Sequence, residues 1–282
     1  MKLKIKNLSK NFGKKKVLSN ISFSVENSEV VAVIGRNGSG KTTLFKLIAG
    51  IYDLKEGEMF IDETDLQDIK NEIIYSPDKF NYFENEKIKN IIRYYELSYP
   101  KFSKEYFIAE IEKNKIDLST KVSELSKGQR AILSVILSFS CKTCFVLLDE
   151  PFDGIDVLNI NLIIDYIIEA QENGVGILIS SHQLAYVENI SNKIIYLDNK
   201  DYLTKEVNPT DYIKYQLVYK EEIPQSILQN ENIAVISNIG RVYTVITYGD
   251  NDKLIKDSGT LQYDKLPATL EDIFILRNRE GR

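Results

Sequence analysis

Apolar and polar residues along the chain predict antiparallel strands first and parallel strands after them. Residues 1–29 alternate between apolar and polar side chains, which predicts an antiparallel β-subdomain at the start of the chain. Near-continuous apolar runs at residues 30–34, 144–148 and 176–180 instead favour strands that are buried on both faces of a parallel sheet. Helical stretches separate these runs, so the pattern predicts an α/β fold.

Two further segments lie within and after this pattern. Between residues 85 and 124, apolar residues such as Ile88 and Ile91 recur at helical spacing, which predicts an inserted helical subdomain. Beyond about residue 205 alternating stretches return, and they predict a small C-terminal α+β appendage. The expected domains are residues 1–205, with the helical subdomain at about 85–140, and residues 206–282.

The stretch between the first buried strand and the next helix is a candidate phosphate-binding loop. Residues 35–43 read GRNGSGKTT and match the pattern G-x-x-x-x-G-K-[ST]. Glycines let the backbone N–H groups turn inward around a polyphosphate, and the helix start adds partial positive charge. Lys41 is suited to the β- and γ-phosphates, and the Thr42 hydroxyl to Mg²⁺. The predicted nucleotide-binding residues of this loop are Gly35, Asn37, Gly38, Ser39, Gly40, Lys41, Thr42 and Thr43.

Polar residues at the ends of two later strands are candidate catalytic groups. Asp149 and Glu150 end one apolar run, at the strand end where open parallel sheets bind ligands. Successive side chains of a strand point to opposite faces, so we expect Asp149 in the Mg²⁺ shell and Glu150 as the general base for an attacking water. His182, the single histidine, ends another strand at the same edge and is expected at the same site. Solvated acids and a structural histidine are the alternatives.

Three other features carry weaker signals. Ser126 and Gly128 lie at a predicted helix start, where free N–H groups and a hydroxyl form a second potential anion site. Phe12 precedes a turn and is either a stacking platform for adenine or a core aromatic, and its position alone favours the core. Cys141 and Cys144 form a C-x-x-C without a second pair, so we expect reduced structural thiols.

Composition narrows the choice of partners. The 282 residues carry a formal net charge of −5 and no sustained Lys/Arg stripe, which argues against nucleic acid. The densest basic run, residues 14–16, has the length of an ordinary solvated turn. We find no secretory signal and no apolar run long enough to span a bilayer. We therefore expect a cytoplasmic protein that reaches a membrane only through a partner.

With these pieces in this order, residues 1 to about 205 resemble the nucleotide-binding subunit of ATP-binding cassette (ABC) transporters, which has a P-loop NTPase fold. The resemblance implies ATP and Mg²⁺ as cofactors, Glu150 as the base and His182 as the group that holds the γ-phosphate. The matching segments are Phe12 (the adenine-stacking aromatic), residues 35–43 (Walker A), 125–130 (signature), 145–150 (Walker B), 153–156 (D-loop) and His182 (the switch histidine).

The resemblance also implies an assembly. Two subunits, identical or different, pack head to tail, and each ATP lies between the phosphate loop of one and the signature of the other. Ser126, Gly128 and Gln129 would therefore contact the ATP of the second subunit. The pair would drive a separately encoded membrane permease from the inner face of the cell membrane.

Two departures from the family pattern stand out. Asp78 replaces the glutamine of the Q-loop; a shorter, anionic group there either approaches Mg²⁺ directly or fails to reach the attacking water. Lys127 replaces the first of two signature glycines, and this variant is similar to exporter-type cassettes. Residues 266–274 also resemble the C-terminal motif of drug and peptide exporter cassettes. The resemblance thus favours an exporter of peptides, drugs or similar compounds.

Three alternatives remain open. The first is a soluble ABC ATPase not coupled to transport, although no sustained heptad run lies between Lys41 and Ser126, as repair and chromosome members usually have. The second is a P-loop kinase, which has no reason to carry residues 125–129. The third is a non-catalytic scaffold, if Asp78 marks a degenerate site.

Overall fold

The computed structural model describes residues 1–65, 70–197, 204–206 and 209–279. They fall into two compact units, Met1–Gln183 with Asn189–Glu206, and Leu184–Glu188 with Val207–Arg282. Within the described ranges, no helix has the length and apolar character needed to cross a membrane.

Two sheets form the framework of the first unit. In chain order the strands are β1 (Lys2–Phe12), β2 (Lys15–Glu26), β3 (Val30–Gly35), β4 (Glu56–Ile61), β5 (Thr64–Asp65), β6 (Ile73–Ser76), β7 (Phe145–Asp149), β8 (Gly176–Ser180), β9 (Lys193–Leu197) and β10 (Thr204–Glu206). The first sheet has the order β2-β1-β4-β5 and is antiparallel. The second has the order β10-β9-β3-β8-β7-β6, and only β10 runs antiparallel to its neighbour. The predicted α/β fold class is confirmed.

The described residues before 206 form six α-helices. They are α1 (Lys41–Ile48), α2 (Ile88–Ser98), α3 (Lys104–Lys113), α4 (Lys127–Ser140), α5 (Val157–Glu172) and α6 (Leu184–Ile190). Helix α1 buries Leu44, Phe45 and Leu47 in a core shared by both sheets. This packing fixes the start of α1 directly behind the end of β3.

Parallel pairing brings the candidate chemistry to one edge of the large sheet. Strand β3 lies between β8 and β9, and β7 lies between β8 and β6. Because these five strands are parallel, the ends of β3, β6, β7 and β8 lie at the same edge. This edge of the sheet therefore brings together the phosphate loop, the acidic pair and His182.

One strand of the first unit contains an unusual glycine. Gly57 lies within β4 at a φ of +101°, and a Cβ there would lie 2.6 Å from the Cα of Leu8. The pairing of β1 with β4 shifts register between Lys6 and Ser9 at this point. Glycine thus allows the two backbones to approach across an irregularity in the sheet.

The second unit is an antiparallel sheet with short helices. Its elements are β11 (Tyr212–Val218), α7 (Gln225–Leu228), β12 (Ile233–Ile239), β13 (Val242–Tyr248), α8 (Asp252–Asp257), β14 (Gln262–Leu266) and α9 (Leu270–Arg279). The strand order is β12-β13-β11-β14. Alternate residues such as Tyr215 and Leu217 fill its core. Strand β14 pairs with β11 but exposes most of its side chains.

Candidate active site

The loop after β3 follows a path that requires glycine. Gly38 and Gly40 have φ angles of +82° and +101°, which residues with a Cβ rarely adopt. A Cβ on Gly35 would lie 2.6 Å from Ser39 Oγ and 2.7 Å from the Leu197 carbonyl oxygen. Side chains at these positions would force the loop open.

The hydroxyl of Ser39 is available to bind a ligand. Ser39 is buried, and among the described residues its Oγ is the one buried side-chain polar atom without a hydrogen-bond partner. Buried polar atoms are normally satisfied by protein, water or ligand. The glycine cradle, the start of α1 and this hydroxyl together fit a polyphosphate.

A cavity of about 510 Å³ opens beside the loop. Thr42, at the start of α1, is exposed, so its hydroxyl is available to a metal ion. Lys15 also lines the cavity, because β2 places it opposite Phe12, although its basic run predicts an ordinary turn. The described lining residues are Phe12, Lys15, Val17, Asn37, Gly38, Ser39, Gly40, Lys41, Thr42, Thr43 and Glu150.

Phe12 is not a core residue. Its side chain is 45% exposed at the rim of this cavity. The ring meets Tyr52 edge-on at 5.5 Å between centroids, and Lys10 Nζ lies 5.6 Å from its centre. The position therefore suits a stacking platform for a planar base.

Asp149 is buried and held by two hydroxyl donors. Only 1% of its surface is exposed. Ser180 Oγ donates to Oδ1 at 2.5 Å, and the Tyr75 hydroxyl donates to Oδ2 at 2.9 Å. Burial and the Asp149 carboxylate raise the pKa of the Tyr75 phenol, so its proton stays available for this bond. The carboxylate is thereby fixed in one orientation.

We expect Tyr75→Phe to reduce the unfolding free energy by about 2 kcal/mol, since a buried carboxylate loses a donor. Urea denaturation measures the change. Tyr106→Phe is the matched control, because the Tyr106 ring keeps its contact with Lys142 Nζ, 3.9 Å away. Equal losses in the two variants would contradict the assigned role of the Tyr75 hydroxyl.

The Glu150 carboxylate lies between the Lys41 ammonium group and the His182 ring. Its Oε1 is 3.4 Å from Lys41 Nζ. Its Oε2 accepts from the His182 backbone N–H at 3.0 Å and lies 2.8 Å from His182 Nδ1. Lys41 Nζ also donates to the Gly35 carbonyl oxygen at 3.0 Å. The carboxylate thus links the phosphate loop to the end of β8.

The side chains of Asp149 and Glu150 point in different directions because the backbone turns at Glu150. The alternation of side chains along a strand is not the cause. Glu150 follows the end of β7 and has a φ of +49°, in the left-handed region that non-glycine residues avoid. This turn sends Glu150 toward Lys41, while Asp149 stays buried beside Ser180. Such strain costs on the order of 1 kcal/mol and is common at functional sites.

The second predicted anion site is a helix start with its own cap. Ser126 precedes α4, and its Oγ accepts from the Gln129 N–H at 3.2 Å, while Gln129 Oε1 accepts from the Ser126 N–H at 3.0 Å. Gly128 is buried so closely against Asn159 that a Cβ would collide with it. Among the described residues that line the phosphate-loop cavity, none belongs to this helix start.

Asp78 lies in a neighbouring cavity rather than in the phosphate-loop cavity. It is exposed and lines a space of about 280 Å³ with Lys127, Arg130 and Asp153. Glu150 lines both cavities. Asp78 therefore shares a cavity with Glu150 but is not among the described residues that line the phosphate-loop cavity.

Cysteine chemistry is not supported by the surroundings of the C-x-x-C. Burial raises the pKa of the Cys141 thiol, which contacts the Leu137 carbonyl oxygen at 3.2 Å. Burial, with the nearby Glu72, raises the pKa of Cys144 to about 11. Across the described parts of the chain, no group of three or more His, Cys, Asp or Glu residues is arranged to hold a metal ion. A Mg²⁺ ion here would need hydroxyl, water and phosphate oxygens to complete its coordination.

Comparison with known proteins points to one family. The family model described as "ABC transporter" matches residues 18–153. The chain is 30% identical to the ABC transporter ATP-binding protein YtrB of Bacillus subtilis, over 98% of this chain and 97% of that protein. It is 33% identical to an uncharacterized ABC transporter ATP-binding protein, MJ1023 of Methanocaldococcus jannaschii, over 90% and 86%.

A solved structure and further relatives point the same way. A structure described as the ATP binding subunit of an ABC transporter superposes with a TM-score of 0.64 at 27% identity, over 71% of this chain and 87% of that one. Ribose and glutamate/aspartate import ATP-binding proteins are also among the relatives. The chain belongs to the ABC transporter ATP-binding proteins, a family that binds ATP and hydrolyses it to power transport.

Proposed function

We propose that this chain hydrolyses ATP to drive a separately encoded membrane permease, and that the transporter is an exporter of peptides, drugs or similar compounds. The observation that carries the catalytic part is the Glu150 carboxylate, which lies at the phosphate-loop cavity between Lys41 and His182. A base needs this access to a water molecule beside the terminal phosphate.

Different residues would bind the phosphates, the base and the metal ion. The backbone N–H groups of the loop and Lys41 would hold the phosphates, and Phe12 would stack on the base. Thr42 and Asp149 would hold Mg²⁺, with Asp78 as a further candidate ligand. When bound, Mg²⁺ neutralises charge on the phosphate oxygens.

Hydrolysis then needs a proton acceptor. A water oxygen forms a bond to the γ-phosphorus while the bond to the leaving ADP oxygen breaks. Glu150 accepts the proton from that water, and His182 keeps the carboxylate oriented through its N–H and Nδ1. Lys41, now 3.4 Å from Glu150, would turn to the phosphates and leave the base free.

We further propose that a second ABC subunit completes each ATP site. Ser126, Gly128 and Gln129 lie at a helix start whose cap residue, Ser126, is exposed, and they are outside the chain's own phosphate-loop cavity. Such a helix start suits an anion brought by another subunit. The subunits, identical or different, would sit on the inner face of the cell membrane, held there by the permease and without contact with nucleic acid.

Support for export comes from the sequence. Lys127 in the signature and residues 266–274 resemble exporter-type cassettes. Import proteins are among the relatives as well, so the family alone does not set the direction. The second candidate function, a soluble ABC ATPase without a permease, shares the same site.

Purification of the tagged chain from detergent-solubilised native membranes separates these candidates. We expect a multi-spanning membrane protein in stoichiometric amount, and an ATPase rate that rises when the complex is placed in lipid vesicles. Export predicts that a transported compound accumulates inside inverted vesicles in the presence of MgATP. Full ATPase activity with no membrane protein would favour the soluble candidate.

A further inference from the structure

A run of charged and titratable side chains joins the signature to the phosphate loop within one subunit. Lys127 Nζ lies 3.1 Å from Asp153 Oδ2, and Asp153 Oδ1 lies 3.7 Å from His182 Nε2. His182 then contacts Glu150, and Glu150 contacts Lys41. Opposite charges meet at both ends of this run, Lys127 with Asp153 and Lys41 with Glu150, and the His182 ring lies between the two carboxylates.

The Lys127 side chain lies close to the turn that holds Asp153. The Lys127 side chain passes so close to Gly154 that a Cβ on that glycine would collide with Nζ. The Asp153 N–H donates to the Glu150 carbonyl oxygen at 3.1 Å, so the turn holding Asp153 is attached directly to the residue proposed as the base. A shift of the Asp153 backbone would therefore also move the Glu150 backbone.

The next signature residue makes a second, independent contact with the same region. Gly128 packs against Asn159, whose N–H donates to Asp156 Oδ1 at 3.0 Å. The start of α4 is thus matched to residues 153–159 at two successive positions. A glycine at position 127, which the family usually has, would form the same helix start. It would lack the ammonium group that contacts Asp153.

We propose that Lys127 is a positioning residue for ATP hydrolysis: it holds Asp153 against His182, and so keeps His182 and Glu150 in their observed arrangement. The proposal rests on the function proposed for Glu150. Lys127 does not line the phosphate-loop cavity, so it acts on the chemical step and not on the binding of ATP by its own loop. The ammonium and the Asp153 carboxylate are both about half exposed, which limits the effect of their pairing.

Steady-state kinetics of Lys127→Met test the proposal. We expect kcat to fall about five-fold with KM for MgATP within about two-fold of wild type, the size that loss of an exposed ion pair allows. Lys127→Arg should restore most of the rate, because a guanidinium still pairs with Asp153. Lys113→Met is the control, since the exposed Lys113 ammonium also pairs with a carboxylate, that of Glu110, and Lys113 is not among the described residues that line either cavity of the site.

A double-mutant cycle separates this role from direct contact with a second subunit's ATP. If Lys127 acts through Asp153, Lys127→Met combined with Asp153→Asn is no slower than the slower single variant. Effects that multiply would overturn the proposal, because Lys127 would then act on another group.

Hydrogen exchange gives a readout that does not depend on turnover. In nucleotide-free protein, we expect the backbone amides of residues 150–156 to exchange several-fold faster in Lys127→Met than in wild type, Lys127→Arg or Lys113→Met. Unchanged exchange would contradict the proposal. An inactive Glu150→Gln with a fully active Lys127→Met would remove this inference alone, whereas equal rates for wild type and Glu150→Gln would remove the proposed function.

Discussion

Glu150→Gln is expected to lower kcat for ATP hydrolysis by about 100- to 1000-fold, the size typical of losing a general base. The amide has the shape of the carboxylate and can still contact His182, but it does not accept a proton from water. MgATP binding should persist, because Lys41 and the loop are intact. A phosphate-release assay and a nucleotide-binding titration measure the two effects.

Glu110→Gln is the matched control for this change. Both side chains are mostly buried, at 16% and 14% exposure, and both pair with a lysine. We expect Glu110→Gln to stay within about two-fold of wild type, because Glu110 pairs with Lys113 and is not among the described residues that line the phosphate-loop cavity. If Glu150→Gln also retained most of its activity, Glu150 would not be the base. Stable dimers of Glu150→Gln in MgATP, seen by size-exclusion chromatography, would add support for the second subunit.

Lys41→Met is expected to weaken MgATP binding by about 100-fold or more, because charge-assisted contacts to phosphate are the strong ones. Lys41 is buried, and its ammonium is held between the Gly35 carbonyl and Glu150, within reach of the loop cavity. Thermal unfolding provides the measurement. MgATP should raise the melting temperature of wild type and leave that of Lys41→Met unchanged.

Lys46→Met controls for the loss of a lysine from α1. Lys46 follows Lys41 by five residues in α1, with its Nζ 5.7 Å from the centre of the Tyr52 ring. Its variant should keep the full MgATP-induced stabilisation. A normal thermal shift in Lys41→Met would mean that nucleotide binds elsewhere.

Local spacing identified most of the individual parts. The glycine and lysine positions of residues 35–43 determine a loop and its chemistry within nine residues, so no long-range information was needed. The same holds for the helix start at Ser126 and for Asp149 and Glu150, where β7 ends. Buried strands were visible because continuous apolar runs are their direct consequence.

Other features depend on neighbouring elements, so the local sequence does not predict them. Strand β14 exposes most of its side chains, so it has no clear apolar alternation, and pairing with β11 determines it. Glycine is typical of turns, yet Gly57 lies within β4. A glycine is needed there because the backbone of Leu8 passes close to it. Phe12 matches a core aromatic by position, but β1 ends at the cavity and leaves it exposed.

The sequence by itself determined the family, the phosphate loop and the residue types at the strand ends, because these depend on short-range spacing. Only the tertiary structure decided which of these groups touch. Tyr75 and Ser180 reach Asp149 because β7 lies between β6 and β8, and Lys127 reaches Asp153 across 26 residues. Strand order and the packing of α4 against the residues before α5 arise from the whole core, and local patterns do not contain them.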